Sequence, residues 1–144
     1  MAYNTELAQH YIDCYKTLHK DPSFKRRGYV YGYGDGKVVV DTFPLIDILI
    51  KKYKATTLLD YGCGKAAYMK RGTLQGTTIT DVALYDPAIK EHSVLPEGVF
   101  DGVVCTDVME HIPEQNVDHV LDEIVAKATK FVYFTISCNP SNDV

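Results

Sequence analysis

The chain has no surplus of positive charge: 15 lysines and arginines stand against 19 acids, a formal net charge of -4. Such a balance gives no electrostatic footing for a phosphate-tracking surface, so nucleic acid is not indicated as a partner. Its one basic cluster, Lys25-Arg26-Arg27, is short and reads as a solvated loop. No apolar run approaches the ~18 residues of a membrane span. Met1-Ala2-Tyr3-Asn4 has neither the basic start nor the apolar stretch of a secretory signal. These two absences predict a cytoplasmic protein with no membrane partner. Cysteine is sparse and scattered: Cys14, Cys63, Cys105 and Cys138 form no CxxC pair, which argues against a zinc site and a disulfide framework. Four thiols, mostly buried, are expected. Repeats, low-complexity segments and linkers are also missing.

What is present is a chain of 144 residues, 46% hydrophobic and 24% charged, enough for one domain with a proper core. From Asn4 to His19 the positions Leu7, Tyr11, Cys14, Tyr15 and Leu18 follow helical spacing, with Asn4 or Thr5 as cap. Gly28 to Val40 is β-rich around an Asp-Gly signal and fits a hairpin or a glycine-rich loop. Tyr31 and Tyr33 read there as packing aromatics, with pocket lining as the alternative. Phe43 to Tyr53 reads as a helix buried round most of its circumference, with Pro44 in the first turn.

Thr57 to Tyr61 is an apolar run ending beside an acid, and Gly62-Cys63-Gly64 follows. A buried strand, a tight turn and a helix start, from about Ala66 to Arg71, are the expectation. Glycines there allow backbone forbidden to other residues and bring N–H groups close to a ligand. A second strand, Ile79 to Tyr85, ends at Asp86-Pro87. Asp86 lies 26 residues beyond Asp60, somewhat past the ~20 usual for a ribose-binding acid. Only 15 residues separate Asp86 from Asp101, room for one crossover and not for helix, strand and helix. A third strand, Phe100 to Thr106, runs into Asp107-Val108-Met109-Glu110-His111-Ile112-Pro113. A helix from Asn116 to Ala128 buries Val117, Val120, Leu121, Ile124, Val125 and Ala128 and turns Asp118, His119, Asp122, Glu123 and Lys127 to solvent. Phe131 to Ile136 is the last strand and a loose tail follows.

Taken in order, Leu58-Leu59-Asp60-Tyr61-Gly62-Cys63-Gly64, Tyr85-Asp86-Pro87 and Phe100 to Ile112 resemble the class I S-adenosylmethionine-dependent methyltransferases, in particular small phage and bacterial members. The resemblance implies a single S-adenosylmethionine-binding domain over 1–144, with an N-terminal helical segment to 56 and a core from 57 to 137. Its fold is an α/β, Rossmann-like parallel sheet in shortened form: the third strand of the family is missing, and Ser137 to Val144 is too short for the usual helix and antiparallel pair. Asp60 matches the acid near the methionine part of the cofactor, and Gly62, Cys63 and Gly64 the turn beside it. Asp86 matches the ribose acid, with Pro87 opening the adenine wall. Asp107 and Val108 match positions flanking the reactive end. Ala66 stands where the family has its third glycine.

Methyl transfer to an oxygen or nitrogen nucleophile needs alignment and removal of a proton. His111 is the natural base by its ordinary pKa, with Asp107 and Glu110 beside it. Asp107-x-x-Glu110-His111 is also similar to the Glu-x-x-Glu-His pattern that binds a divalent ion in some O-methyltransferases, although no fourth ligand is evident. Two other functions fit the motifs: a module that binds or degrades the cofactor without transferring its methyl group, and a nicotinamide-binding domain, since Gly62-x-Gly64-x-x-Ala67 satisfies the relaxed dinucleotide fingerprint. The methyl acceptor is not named by these residues.

Overall fold

The structure is a computed structural model that describes residues 2–20, 37–66, 79 and 81–138. Lys25-Arg26-Arg27, Tyr31, Tyr33, the helix expected after Ala66 and the tail from Asn139 lie outside the described residues. Helix α1 spans Thr5–Lys20. The Asn4 side chain caps it, its Oδ1 accepting the Leu7 N–H at 2.9 Å. The expected stripe of Leu7, Tyr11, Cys14, Tyr15 and Leu18 is half-buried, and no residue of this helix is fully buried.

Helix α2 spans Lys37–Tyr53, longer at its N-terminal end than the sequence suggests. Lys37 to Val40 are therefore helical and not β, and Pro44 lies inside the helix. Three successive valines raise β propensity, but each costs a helix only about 0.5 kcal/mol. Pro44 has no N–H to offer the carbonyl of Val40. Ile46 and Ile50 are fully buried, whereas Leu45 and Ile48 are 55% and 60% exposed. One stripe of α2 is thus buried, and not most of its circumference.

Four strands follow: β1 (Thr57–Tyr61), β2 (Asp81–Tyr85), β3 (Phe100–Thr106) and β4 (Ala128–Thr135). They form one all-parallel sheet in the order β2-β1-β3-β4. Between β2 and β3 the chain holds only a 3-10 turn, Lys90–His92. Helix α3, Glu114–Lys127, carries the chain from β3 to β4.

Alternation along the strands sorts the core onto two faces. Leu58, Val104 and Phe131 pack with Ile46 and Ile50 of α2. Leu59, Tyr61, Val103 and Cys105 pack with Val120 and Ile124 of α3. Gly102 is required opposite Phe131 in the β3–β4 register, since a methyl group there would overlap the phenyl ring.

Three expectations for α3 change. Val125 is 58% exposed. Ala128 opens β4 instead of closing the helix. Glu123 and Lys127 turn inward: Glu123 Oε1 accepts the Tyr61 hydroxyl at 2.5 Å, and Lys127 Nζ donates to the Pro96 and Gly98 carbonyls. Among the described residues no helix is long and apolar enough to cross a membrane.

Candidate functional site

Chain order runs outward in opposite directions from the β1–β3 boundary, so the loops leaving these two strands share one crevice at the carboxyl edge of the sheet. The two loops touch. Gly62 has φ +80°, and a methyl group built on it would overlap Cγ2 of Val108. A side chain is thus excluded there both by backbone conformation and by the neighbouring loop.

The glycine turn is held by the end of β2. Gly62 N–H and Cys63 N–H both donate to the Tyr85 carbonyl, at 2.7 and 3.0 Å. Gly64 N–H donates to Asp86 Oδ2 at 2.9 Å, and Ala88 N–H to Asp86 Oδ1 at 2.8 Å. Asp86 is 9% exposed, and each of its oxygens already accepts one backbone N–H. The three turn N–H groups expected to face a ligand are therefore taken up internally, and a carboxylate stands where a phosphate would bind. Pro87 lies directly after Asp86, in a turn closed by Ile89 N–H on the Asp86 carbonyl at 3.1 Å. His92 folds back so that its carbonyl accepts the Asp86 N–H at 2.9 Å.

Asp60 is the penultimate residue of β1, paired with Val104 of β3, and is 1% exposed. Cys63 is 3% exposed and its Sγ donates to the Gly64 carbonyl. Burial pushes the Cys63 thiol up, and the Asp60 and Asp86 carboxylates push it further. Cys105 is raised likewise by burial, then by Asp60 and Glu110. Both are protonated thiols at neutral pH and not nucleophiles. Of the four cysteines, all unpaired, Cys63 and Cys105 are buried, Cys14 is half-buried and Cys138 exposed. Ala66 keeps a left-handed φ of +46° at 4% exposure, so alanine carries a conformation that glycine adopts without cost.

The second loop begins with strain. Asp107 has φ +52°, and its N–H donates to both the carbonyl (2.9 Å) and Oγ1 (3.1 Å) of Thr135. Thr135 Oγ1 donates to Asp107 Oδ1 at 2.8 Å. Glu110 Oε1 accepts the Ser137 N–H at 2.9 Å. Asp107 is thus clamped to the last residue of β4 and Glu110 to the segment just after it. Met109–His111 is a 3-10 turn, and the His111 ring meets the Tyr15 ring of α1 edge-on at 5.1 Å. His111 Nδ1 and Glu110 Oε2 are buried atoms without a hydrogen-bond partner among the described residues. Among the described residues no three His, Cys, Asp or Glu side chains group to hold a metal ion.

Residues missed in the sequence include Tyr85, acting through its carbonyl, and Thr135, Ser137, Asn116 and Tyr15. A backbone carbonyl leaves no sequence signal. Thr135 does leave one, a hydroxyl at the carboxyl end of an apolar strand. Asn116, 1% exposed, exchanges two hydrogen bonds with the Asn4 backbone at 2.8 and 3.1 Å and docks α1 onto α3.

Fold and site define an α/β protein with an acidic loop crevice at the switch point of a parallel sheet. Comparison with family models, with curated proteins and with solved structures finds no match.

Proposed function

We propose that this chain binds S-adenosylmethionine in the crevice between the two loops and transfers its methyl group to an oxygen or nitrogen nucleophile. One observation carries the reading: the Asp86 carboxylate occupies the Gly64 N–H. A dinucleotide needs that N–H for its pyrophosphate. With Asp86 there, and Asp60, Asp107 and Glu110 on the same edge, the crevice suits a ligand carrying positive charge. S-adenosylmethionine has a sulfonium and an ammonium, and the residues present fit it. They do not favour the nicotinamide alternative.

When bound, the cofactor supplies a methyl group already activated for displacement. The chain's own residues do the rest. Asp86 retains lone pairs to accept ribose hydroxyls while it holds the turn. Asp60 and the Gly62–Gly64 turn flank the methionine part, with Cys63 as an inert buried thiol. Asp107 and Val108 flank the reactive end, and Val108 sets the spacing of the loops through Gly62. His111 removes the acceptor proton, with Glu110 beside it. In this reading the four parallel strands are a shortened methyltransferase sheet, with no further strand among the described residues.

One observation favours a second reading, cofactor binding without transfer: Asp107 Oδ1 and Glu110 Oε1 are committed to Thr135 and Ser137. Calorimetric titration with S-adenosylhomocysteine and with NAD tests the binding. Heat with the first and none with the second is expected, and tight binding of NAD alone would overturn the proposal. Transfer of a labelled methyl group to a pool of small hydroxyl and amine compounds then separates the two readings.

A further inference from the structure

We infer that the seam between α1 and the Met109–His111 turn is a binding subsite for a small molecule bearing hydroxyl or amine donors. Two observations bear on it. His111 Nδ1 and Glu110 Oε2 are buried without partners among the described residues. An unsatisfied buried polar atom costs free energy and is uncommon in native proteins, so two on adjacent residues point to a ligand that completes them. Glu110 is anchored through Oε1 by Ser137, which leaves Oε2 to accept from elsewhere. His111 Nδ1 accepts when its proton is on Nε2. Two acceptors select a ligand with O–H or N–H groups over a carboxylate or an ether.

Helix α1 meets this turn where Tyr15 lies against His111. Helix α1 has no fully buried residue. Among the contacts that hold it are the Asn4–Asn116 pair and ring contacts of Tyr3 on His119 and Tyr15 on His111. Tyr15 gives the seam an aromatic wall. The turn lies one residue beyond Val108, which touches Gly62, so a molecule in the seam sits beside the proposed cofactor crevice. Naming it the methyl acceptor rests on the function proposed above; the seam as a donor-selective site does not.

The test uses two neutral probes of the same ring, resorcinol with two O–H donors and 1,3-dimethoxybenzene with none. Each is titrated into the whole chain with and without S-adenosylhomocysteine, while side-chain NMR signals of His111 and Tyr15 are followed. Resorcinol is expected to move both signals and to bind about tenfold more tightly than the ether, the worth of one retained hydrogen bond. Glu110→Gln keeps an oxygen for Ser137 and replaces the second acceptor by a donor, so the preference should shrink while His111 Nδ1 retains part of it. Tyr15→Leu lies outside the sheet core and should weaken both probes alike. Equal binding of the probes, or no shift at His111 with either, overturns the inference. If S-adenosylhomocysteine binds and resorcinol ignores the seam, the inference fails alone. If resorcinol prefers the seam and the cofactor analogue does not bind, the subsite stands and the methyl-acceptor reading falls.

Discussion

Removal of the Asp86 carboxylate should damage the fold and the ligand site together, by separable amounts. Its two oxygens accept from Gly64 N–H and Ala88 N–H at 2.9 and 2.8 Å, and both donors belong to buried residues. A hydrogen bond to a charged acceptor contributes about 1.5 kcal/mol at the low end of its range, so Asp86→Ala should cost about 3 kcal/mol. For a chain of this size that lowers Tm by roughly 10 °C. Asp86→Asn retains one acceptor and should lose about half as much. Urea unfolding followed by far-UV circular dichroism measures both. Affinity for S-adenosylhomocysteine should fall roughly 10- to 100-fold in Asp86→Ala, measured below its unfolding transition, because the ligand loses an ionised acceptor as well. Asp86→Asn also takes the negative charge from beside the Gly64 N–H, so it should bind NAD better than the parent chain does. If Asp86→Ala is as stable as the parent to within about 0.5 kcal/mol, the carboxylate does not hold the turn. The argument against a phosphate ligand then collapses with it.

Gly62→Ala should destabilise by about 2 to 4 kcal/mol through its positive φ and its overlap with Val108, and Val108→Ala should restore only the steric part; strict additivity in a double-mutant cycle would show that the loops do not touch. Ala66→Val places a branched side chain at φ +46° and should cost at least about 2 kcal/mol, whereas Ala66→Gly should stay within about 1 kcal/mol of the parent, because relief of strain offsets the lost methyl contact; equal unfolding midpoints for the two variants would refute this. Burial and Glu123 raise Tyr61, burial pushes Tyr85 up to about 12, and Cys63 and Cys105 are raised from 9.0. The unfolded chain therefore releases these protons first, and stability present below pH 9 should fall as pH rises through 9 to 12, by up to about 1.4 kcal/mol per group per pH unit; constant stability from pH 8 to 11 would contradict the burial of these groups. Asn116→Ala should release α1, seen as faster amide exchange over Thr5–Lys20 with the sheet unaffected, and unchanged exchange would remove Asn116 from the docking.

The sequence by itself determined the elements whose stability is local or whose burial is complete. β1 and β3 occur over the expected residues, because a strand buried on both faces is written as a continuous apolar run. The Asn4 cap of α1 was legible for a similar reason, since cap and capped N–H lie three residues apart. The glycine turn and the two acids at strand ends could be picked out by type and order. Only the tertiary structure decided what those groups do. Gly62 needs its missing side chain because Val108, from another loop, fills the space. The turn N–H groups are directed to Tyr85 and Asp86, partners more than 20 residues away. Val38 to Val40 lie in a helix because a weak local preference for β was outweighed there. Glu123 and Lys127, polar on a polar helix face, turn inward to Tyr61 and to the carbonyls of Pro96 and Gly98. Hydrophobic periodicity records which residues leave water. It does not record which donor meets which acceptor, and here that pairing sets the charge of the crevice and the kind of ligand it can hold.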